Sequence, residues 1–472
     1  MKKNLMKKVA GLGFVAVLLG SSVLGKESMK ENQKGTQKQE LQKKTERKTL
    51  FQAKTKTLSN GLRVVVVEDH MVPRVSIGIL YNVGSGDDPD DFFGVSHMLE
   101  HMLFRCSEKY PDLDATIENV GGSSNAETSY DHTMYVYDCP TQARTLIFDI
   151  AADQMAHFSL NSPKKKDIFK TEQMAVLEER LMRYENPPLG IPIEYIGTAL
   201  SPQHPYGRMI GGSRKNIRAY TPEAVMNHYK KWYKPNNATV IVVGDVRAPL
   251  VFAEVEKTFG AIPKGPVPER KREQNALTKD FHQDIVYYSD KVQLPRVSLS
   301  YNAPHFKTSD LKKIQALSIG LGILFEGSVY KFSRYFLDEK DYVASLDCSY
   351  GQSFDPRPLV VSASIKISVE KFLKEFDKKL KKVLKNGVAS AEFERAKKSS
   401  LTRIAYRSRD GHEKIRSAFV DLANDFTVEQ IENTPNIIEL ATSDDVNAAL
   451  REVFSVPPLS IVKILPKKEV RS

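Results

Sequence analysis

The chain has 472 residues, of which 41% are hydrophobic and 27% are charged. This length and composition predict two or three globular domains, and its three cysteines, Cys106, Cys139 and Cys348, are too few for a disulfide framework. The net charge is +11, but residues 1–50 hold twelve Lys/Arg and four acidic residues, a balance of +8. The remaining +3 argues against a nucleic-acid-binding surface on the folded body.

Residues 1–25 have the pattern of a secretory signal peptide. Four lysines and no acidic residue occupy positions 1–8, and an uncharged apolar segment follows over 9–25. We expect export, to the periplasm, with cleavage after Gly25; left uncleaved, the segment would anchor the chain in the inner membrane. No cysteine follows the apolar segment, which excludes a lipoprotein anchor.

Residues 26–50 carry eight Lys/Arg, four Glu and hardly any apolar side chain. Such a segment cannot bury enough surface to offset its chain entropy, so we expect a charged, disordered linker. Its basic side chains could contact anionic lipid.

An internal repeat follows. Val72–Ile77 recurs as Leu294–Leu299, and the pair Tyr-Asn follows both copies, at Tyr81 and at Tyr301. Both copies alternate apolar and polar residues and contain β-branched side chains, so we expect each to be the strand that opens a domain.

The spacing of the repeat is too long for a solenoid and implies duplication of a whole α/β domain. A long helical pattern recurs in each half, at Phe169–Tyr184 and Phe393–Tyr406. We therefore predict domains over 51–262 and 276–472. The linker between them, 263–275, is rich in Pro, Gly and charge and has no periodicity.

The sequence His97-x-x-Glu100-His101 lies in a predicted helix. At 3.6 residues per turn, its two imidazoles and its carboxylate share one face. Zn²⁺ binds imidazole nitrogen readily, and a catalytic zinc site has a general base beside an open position. This order of residues is the inverzincin signature. A core helix with two hydrogen-bonded histidines is the alternative interpretation.

Two further acidic residues, Glu172 and Glu179, lie seven positions apart in a helical segment over 167–184. They share a helix face about two turns apart. One could bind the metal while the other orients a ligand. A solvated acidic face is the alternative.

These residues resemble the pitrilysin/insulinase family of zinc peptidases. The resemblance rests on His97-x-x-Glu100-His101 followed 78 residues later by Glu179. It implies that Glu179 is the third zinc ligand and that Glu172 is the supporting acid. Glu178 remains a rival for the third ligand, because the register of the helix is not visible in the sequence.

Other segments match the family in the same order. The segments that match are Gly121–Tyr135, His204–Gly207, Trp232–Ala238 and Val240–Asp245. The segment Gly121–Tyr135 looks like the family's edge strand, and the resemblance implies that a peptide substrate pairs with it at Asn125, Ala126 and Thr128.

The resemblance implies an α+β fold, in which two homologous α/β domains have mostly antiparallel sheets packed with helices and form half of a clamshell. It also implies a zinc-dependent endopeptidase acting on unfolded or flexible peptides. In that reaction Glu100 would be the general base on a zinc-activated water.

The second half departs from the family pattern. Some members supply an Arg and a Tyr, seven residues apart, from this half; here Leu337 and Ala344 occupy those positions, whereas Arg334 and Tyr342 are eight apart. We therefore expect the chain to be the zinc-bearing subunit of a dimer. A second family subunit would supply Arg and Tyr in a heterodimer, and a homodimer remains open.

Two other functions remain open. The chain could be a catalytically inactive structural or interaction subunit of a peptidase complex. It could also be a cell-envelope binding module with a structural zinc, for which His132 is the nearest candidate for a fourth ligand.

Overall fold

The computed structural model describes residues 49–187, 204–270, 283–307, 309–326, 331–407 and 419–467. The predicted signal peptide, nearly all of the predicted charged linker and residues 271–275 lie outside these ranges. Residues Thr49–Ser472 form one compact unit. Within the described ranges, no helix combines the length and apolar character needed to cross a membrane.

The first half of the described chain contains a six-stranded sheet with the order β1-β2-β6-β3-β5-β4. All neighbours are antiparallel except β2 and β6. Its strands are β1 (Lys54–Thr57), β2 (Arg63–Glu68), β3 (Arg74–Tyr81), β4 (Ser123–Thr128), β5 (Thr133–Pro140) and β6 (Ala238–Gly244).

The second half contains a five-stranded sheet, among the described residues, with the order β7-β11-β8-β10-β9. Its strands β7 and β11 are parallel, and its other neighbouring strands are antiparallel. Its strands are β7 (Gln283–Ser289), β8 (Arg296–Tyr301), β9 (Val343–Ser349), β10 (Leu359–Ile365) and β11 (Ser460–Pro466). The two sheets share one topology, and the predicted fold of mostly antiparallel sheets packed with helices is confirmed.

The repeated segments are β3 and β8, but the expectation that they open their domains was wrong. Strands β1 and β2 precede β3, and β7 precedes β8. Both repeated strands lie inside their sheets, β3 between β6 and β5, and β8 between β11 and β10. The repeated sequence therefore occupies the same position in the two sheets. A strand on each side restricts which side chains can occur there.

Helices cover one face of each sheet. The segments predicted to be helical are confirmed: 169–184 lies in the helix Pro163–Arg180 and the π-helical turn after it, and 393–406 lies in the helix Ser390–Arg407. The helices of the first half are α1 (Val95–Leu103), α2 (Leu113–Glu118), α3 (Arg144–His157), α4 (Pro163–Arg180), α5 (Arg214–Ala219), α6 (Pro222–Trp232) and α7 (Ala248–Phe259). Those of the second half are α8 (Leu311–Phe325), α9 (Lys331–Ser333), α10 (Val369–Asn386), α11 (Ser390–Arg407), α12 (Val428–Glu432), α13 (Thr434–Leu440) and α14 (Ser443–Phe454).

Short helices of other types complete the backbone. The π-helical segments are Leu181–Glu185 and Arg334–Glu339. The 3₁₀ helices are Ser85–Asp87, Asp90–Phe92, Thr141–Ala143, Pro205–Gly207, Pro235–Asn237 and Val420–Asn424.

The first sheet is covered on both faces. Its helices enclose a large apolar core on one side. On the other side, Phe419, Leu422 and Ile431 of the second half pack against Val65 and Ile241. This double burial explains why every residue of β6 is buried and why Thr239 is its only polar side chain.

Glu432 ties the beginning of the described body to the second half. It is 7% exposed, and its carboxylate accepts hydrogen bonds from the backbone N–H groups of Phe51 (2.8 Å) and Ala53 (2.7 Å). The ring of Phe51 lies 5.6 Å from that of Phe419. The second half thus holds the segment that leads into β1.

We predict that Glu432→Ala destabilises the protein by roughly 1–3 kcal/mol, because two backbone donors lose their acceptor. Glu432→Gln retains one acceptor oxygen and should lose less. Unfolding in urea measures both, with Glu118→Ala, at an exposed position, as the control. Equal stability of the Glu432 and Glu118 variants would contradict this role for the carboxylate.

Candidate active site

Helix α1 begins at a tightly constrained turn. Its N-cap, Gly94, has a φ of +95°, a conformation that favours glycine, and an added Cβ would meet the hydroxyl of Tyr220 and the carbonyl of Gly211. The carboxylate of Asp88 accepts hydrogen bonds from the N–H groups of Gly94 (2.7 Å) and Ser96 (3.1 Å). An acidic group at this end of a helix satisfies free N–H groups and complements the helix dipole.

A buried histidine supports this turn. The hydroxyl of Ser96 donates to Asp88 and lies 2.8 Å from Nε2 of His228. Burial lowers the pKa of His228 to about 3, so its imidazole is neutral. Burial raises the pKa of Asp88, while its hydrogen bonds to Ser96 and Gly94 act in the opposite direction.

The predicted helix around the His-x-x-Glu-His sequence is present in α1. Met98, Leu99 and Met102 are fully buried in the core, which fixes the helix in place. His97 and His101 lie on the same face, with ring centroids 4.8 Å apart. The histidines are thus held on a rigid element.

Helix α4 brings the distant acid to the histidines. Oε2 of Glu179 lies 3.4 Å from Nε2 of His97 and 3.2 Å from Nε2 of His101. One potential ligand atom from each residue lies within 4.8 Å of the other two. Glu178 is exposed on the same helix. The register of α4 therefore favours Glu179 over Glu178 as the third ligand.

Glu172 contacts the other nitrogen of His101. Its Oε2 lies 3.3 Å from Nδ1 of His101, and Nε of Arg105 donates to its Oε1 at 3.2 Å. A carboxylate on the second imidazole nitrogen is the usual way in which a ligating histidine is oriented. The hydrogen bond to His101, opposed by burial, is the main reason why the pKa of Glu172 is lowered.

Hydrogen bonds within the cluster shift the pKa values of His101 and Glu179. Burial acts to lower the pKa of His101, but hydrogen bonds to Glu172 and Glu179 outweigh it and raise the pKa to about 9. Burial opposes ionisation of Glu179, yet bonds to His101 and His97 lower its pKa. The imidazole of His101 therefore binds its proton more tightly than a free histidine does, and a metal ion that binds to this nitrogen would have to displace that proton.

The donor set fits zinc. Two imidazole nitrogens and one carboxylate oxygen are the ligand types of a catalytic zinc site, in which a fourth position stays open. The described residues group no fourth side chain with these three. His132 was the candidate for a fourth ligand in a structural zinc site. Its Nδ1 instead lies 2.9 Å from the hydroxyl of Ser129, in the turn after β4, and His132 is not grouped with the three residues of the cluster.

Glu100 lies beside the cluster and is fixed by the edge strand. The hydroxyl of Thr128, at the end of β4, donates a hydrogen bond of 2.5 Å to Oε2 of Glu100. Strand β4 is an edge strand of its sheet, as the family resemblance implied. Asn125 is exposed on this strand, and its Oδ1 accepts from the N–H of Ala126.

The cluster opens into a cleft of about 580 Å³. Its lining residues come from α1, β4, α4 with the turn after it, and the segment before α5. They are His97, Glu100, His101, Asn125, Ala126, Glu127, Thr128, Val176, Glu179, Arg180, Arg183, Tyr184, Ile210 and Gly211. Among the described residues, this lining belongs wholly to the first half.

Comparison with known proteins identifies the family. Residues 63–200 match the model described as insulinase (peptidase family M16), and residues 219–400 match the model of the peptidase M16 inactive domain. The zinc protease PqqE of Helicobacter pylori is 30% identical over 353 residues, which cover 72% of this chain and 77% of that protein. The chain belongs to peptidase family M16.

Other M16 relatives agree with this assignment. The uncharacterized zinc protease YmxG of Bacillus subtilis is 23% identical over 414 residues, covering 84% of this chain and 95% of the relative. A crystal structure of a protease from Helicobacter pylori matches with a TM-score of 0.79 at 25% identity, covering 88% of this chain and 99% of that one. These homologues support a zinc peptidase.

The second half contains no described residue of the cleft lining, in keeping with the label of inactive domain for its M16 model. Arg334, one of the alternative contacts considered above, is exposed and pairs with Glu339 at 3.1 Å. Tyr342 lies under the ammonium of Lys371. Leu337 packs against the second core.

Two arginines near the ligands were not identified from the sequence. Arg183 donates to Oε1 of Glu179 at 2.8 Å, and Arg105 contacts Glu172. Each follows a site residue by four positions, Arg183 after Glu179 and Arg105 after His101, so helical spacing was the available signal.

The cysteines form no disulfide. Burial raises the pKa of the thiols of Cys106 and Cys139 to about 11 and that of Cys348 to about 12. A protonated, buried thiol is a poor nucleophile and a poor metal ligand.

We predict that Glu179→Ala and Glu178→Ala differ sharply in zinc content, although the two residues are neighbours. Loss of Glu179 removes one of three converging donors, so the purified variant should hold much less than one zinc per chain, whereas Glu178→Ala should hold one. Elemental analysis after dialysis against a weak chelator measures both. Full zinc occupancy in Glu179→Ala would contradict its role as a ligand.

Proposed function

We propose that the protein is a zinc-dependent endopeptidase that hydrolyses peptide bonds in unfolded or flexible peptides. The main support is the convergence of His97, His101 and Glu179 beside Glu100, in a cleft bordered by an open edge strand. Relatives named zinc proteases support the class of reaction.

In this proposal His97, His101 and Glu179 bind the metal, and Glu172 orients His101. Zinc, when bound, is a Lewis acid that lowers the pKa of a water molecule towards neutrality and polarises the scissile carbonyl. The chain supplies a rigid pair of helices, so the ligands need little rearrangement to bind it.

Glu100 is the general base in this mechanism. Its carboxylate takes a proton from the attacking water and then delivers that proton to the leaving amine. The hydrogen bond from Thr128 holds Glu100 at the wall of the cleft. Asp88 contributes indirectly, because it fixes the first turn of the helix that carries the base.

The substrate binds as an added strand in this proposal. The outer edge of β4 presents backbone N–H and C=O groups, and an extended peptide can pair with them regardless of its side chains. Asn125, Ala126 and Thr128 border the cleft on this strand. Only an unfolded or flexible segment can extend along such an edge, so compact proteins are excluded as substrates.

We predict that Glu100→Gln lowers turnover of an unstructured fluorogenic peptide by at least about 10²–10⁴-fold while zinc content stays at the wild-type level. The amide keeps the size of the side chain but cannot accept the proton. Glu118→Gln, at an exposed position outside the cleft, is the control for the loss of a carboxylate. Wild-type turnover in Glu100→Gln would exclude Glu100 as the base.

The proposed assembly is a dimer in which this chain carries the zinc. The described lining of the cleft contains no contact from the second half, so Arg and Tyr side chains for the transition state would come from a second family subunit. A homodimer would reuse this chain and would place Arg334 or Tyr342 near the partner's cleft. An inactive structural subunit is less well supported, because the chain has His97, His101 and Glu179 for the metal and also Glu100 for the base.

A test of the partner proposal is the activity of the purified chain alone. We expect weak, chelator-sensitive peptide cleavage that rises at least tenfold when the second family subunit from the same cell is added. Full activity of the isolated chain as a monomer would contradict the need for a partner. Zinc binding without cleavage under either condition would favour the inactive subunit.

The proposed location is the periplasm. The basic and apolar residues at positions 1–25 support export, and an uncleaved segment would hold the protein at the inner membrane. A structural neighbour with a TM-score of 0.72 at 17% identity is described as the periplasmic protease PqqL of Escherichia coli.

A further inference from the structure

The turn between β4 and β5, residues 129–132, lies next to the proposed base and is held by both halves of the chain. On the side of the first half, N–H groups of Ser85 and Gly86 donate to the carbonyls of Ser129 and Tyr130 at 2.9 Å and 2.8 Å. The turn is thus anchored to the segment that precedes α1.

Asp131 is one of the residues through which this turn contacts the second half; Tyr130 is another, and its ring lies 5.3 Å from the guanidinium carbon of Arg357. The residue is 5% exposed. Its Oδ2 accepts a hydrogen bond from the backbone N–H of Phe354 (3.2 Å), and its Oδ1 accepts from the hydroxyl of Tyr206 (2.6 Å). The hydroxyl of Tyr206 in turn accepts from the N–H of Asp355 at 3.1 Å. One carboxylate therefore joins the turn to the loop between β9 and β10.

Arg270 adds a second connection. Its guanidinium donates to the carbonyl of Asp131 at 2.7 Å and to the carbonyl of Ala423 at 2.9 Å. Its side chain is 8% exposed and packs on the ring of Phe354, with 4.8 Å between the guanidinium carbon and the ring centroid. Arg270 lies in the predicted interdomain linker, of which the structure describes residues 263–270.

The turn is directly continuous with the site. Thr128, which holds the carboxylate of Glu100, is three residues before Asp131 and pairs with Thr133 across the hairpin. A displacement of the turn would move the free edge of β4 and the hydroxyl of Thr128 together, because strand and turn share one backbone.

We propose that the second half of the chain positions the edge strand β4, and through Thr128 the carboxylate of Glu100, by holding the turn at Asp131 and Arg270. Both are positioning residues, since neither lines the cleft. In this proposal the second half has no residue in the cleft but supports the geometry of the cleft in the first half. The proposal rests on the proposed function for its effect on substrate, and its structural part is independent of it.

Asp131→Asn is the most informative variant. Asparagine has the same shape, but only one of its terminal atoms accepts hydrogen bonds, and the other donates. Its NH₂ group would face either the N–H of Phe354 or the hydroxyl of Tyr206, which already accepts from Asp355. One of the two connections is therefore lost with little change in volume.

The first measurement is hydrogen–deuterium exchange of the full chain. In Asp131→Asn and Arg270→Gln, we expect exchange in residues 123–133 to be at least about tenfold faster than in the wild type, while α3 and α7 are unchanged. Arg144→Gln is the matched control: this arginine makes a two-pronged contact with Glu254, at 2.9 Å and 2.6 Å, between α3 and α7. Unchanged exchange in 123–133, or equal acceleration there in Arg144→Gln, would overturn the proposal.

The second measurement is binding of a labelled unstructured peptide to zinc-loaded protein that carries Glu100→Gln and therefore does not cleave it. Adding Asp131→Asn should raise the dissociation constant about tenfold with zinc content unchanged, and adding Arg144→Gln should change it less than twofold. A dissociation constant unaffected by Asp131→Asn would exclude an effect on substrate binding. If the Glu100→Gln parent binds no peptide, the proposed function fails, whereas the exchange experiment still decides the positioning role.

Discussion

The contact of Glu179 on α4 with His97 and His101 on α1 is the interaction on which the site depends. It joins two helices that are far apart in the chain, and it places three potential donor atoms within 4.8 Å of one another. Glu172, Arg105 and Arg183 then surround these donors with hydrogen bonds. In this arrangement Glu100 lines the same cleft as the three potential donors.

The rest of the first half supports this contact. The apolar face of α1 is buried in the core, and the Asp88 carboxylate fixes its first turn. The sheet behind it is apolar on both faces, because helices cover one face and the segment around Phe419 covers the other. A surface left open there would expose β-branched side chains to water, so the second half is part of the stability of the first.

The two halves share a topology but differ in chemistry. In the first half, helix α1 after β3 carries His97, Glu100 and His101; in the second, α8 after β8 is an apolar helix whose buried residues fill the core. The second half covers the back of the first sheet, ties down the segment leading into β1 through Glu432, and contacts the turn beside the edge strand through Phe354. The two halves thus share a scaffold, and among the described residues only the first carries the cluster of two histidines and a glutamate.

The sequence alone determined the features that depend on short spacings. His97, Glu100 and His101 could be assigned to one helix face because i, i+3 and i+4 positions coincide there, and the alternating strands and apolar helix patterns indicated a duplicated α/β fold. Only the tertiary structure showed that Glu179, rather than Glu178, contacts both histidines, because a rotation of about 100° between neighbouring helical residues has no signature in composition. It alone showed that Asp131 meets Phe354 and that Glu432 meets Phe51, since these contacts join residues hundreds of positions apart and follow from how the halves pack rather than from any local pattern.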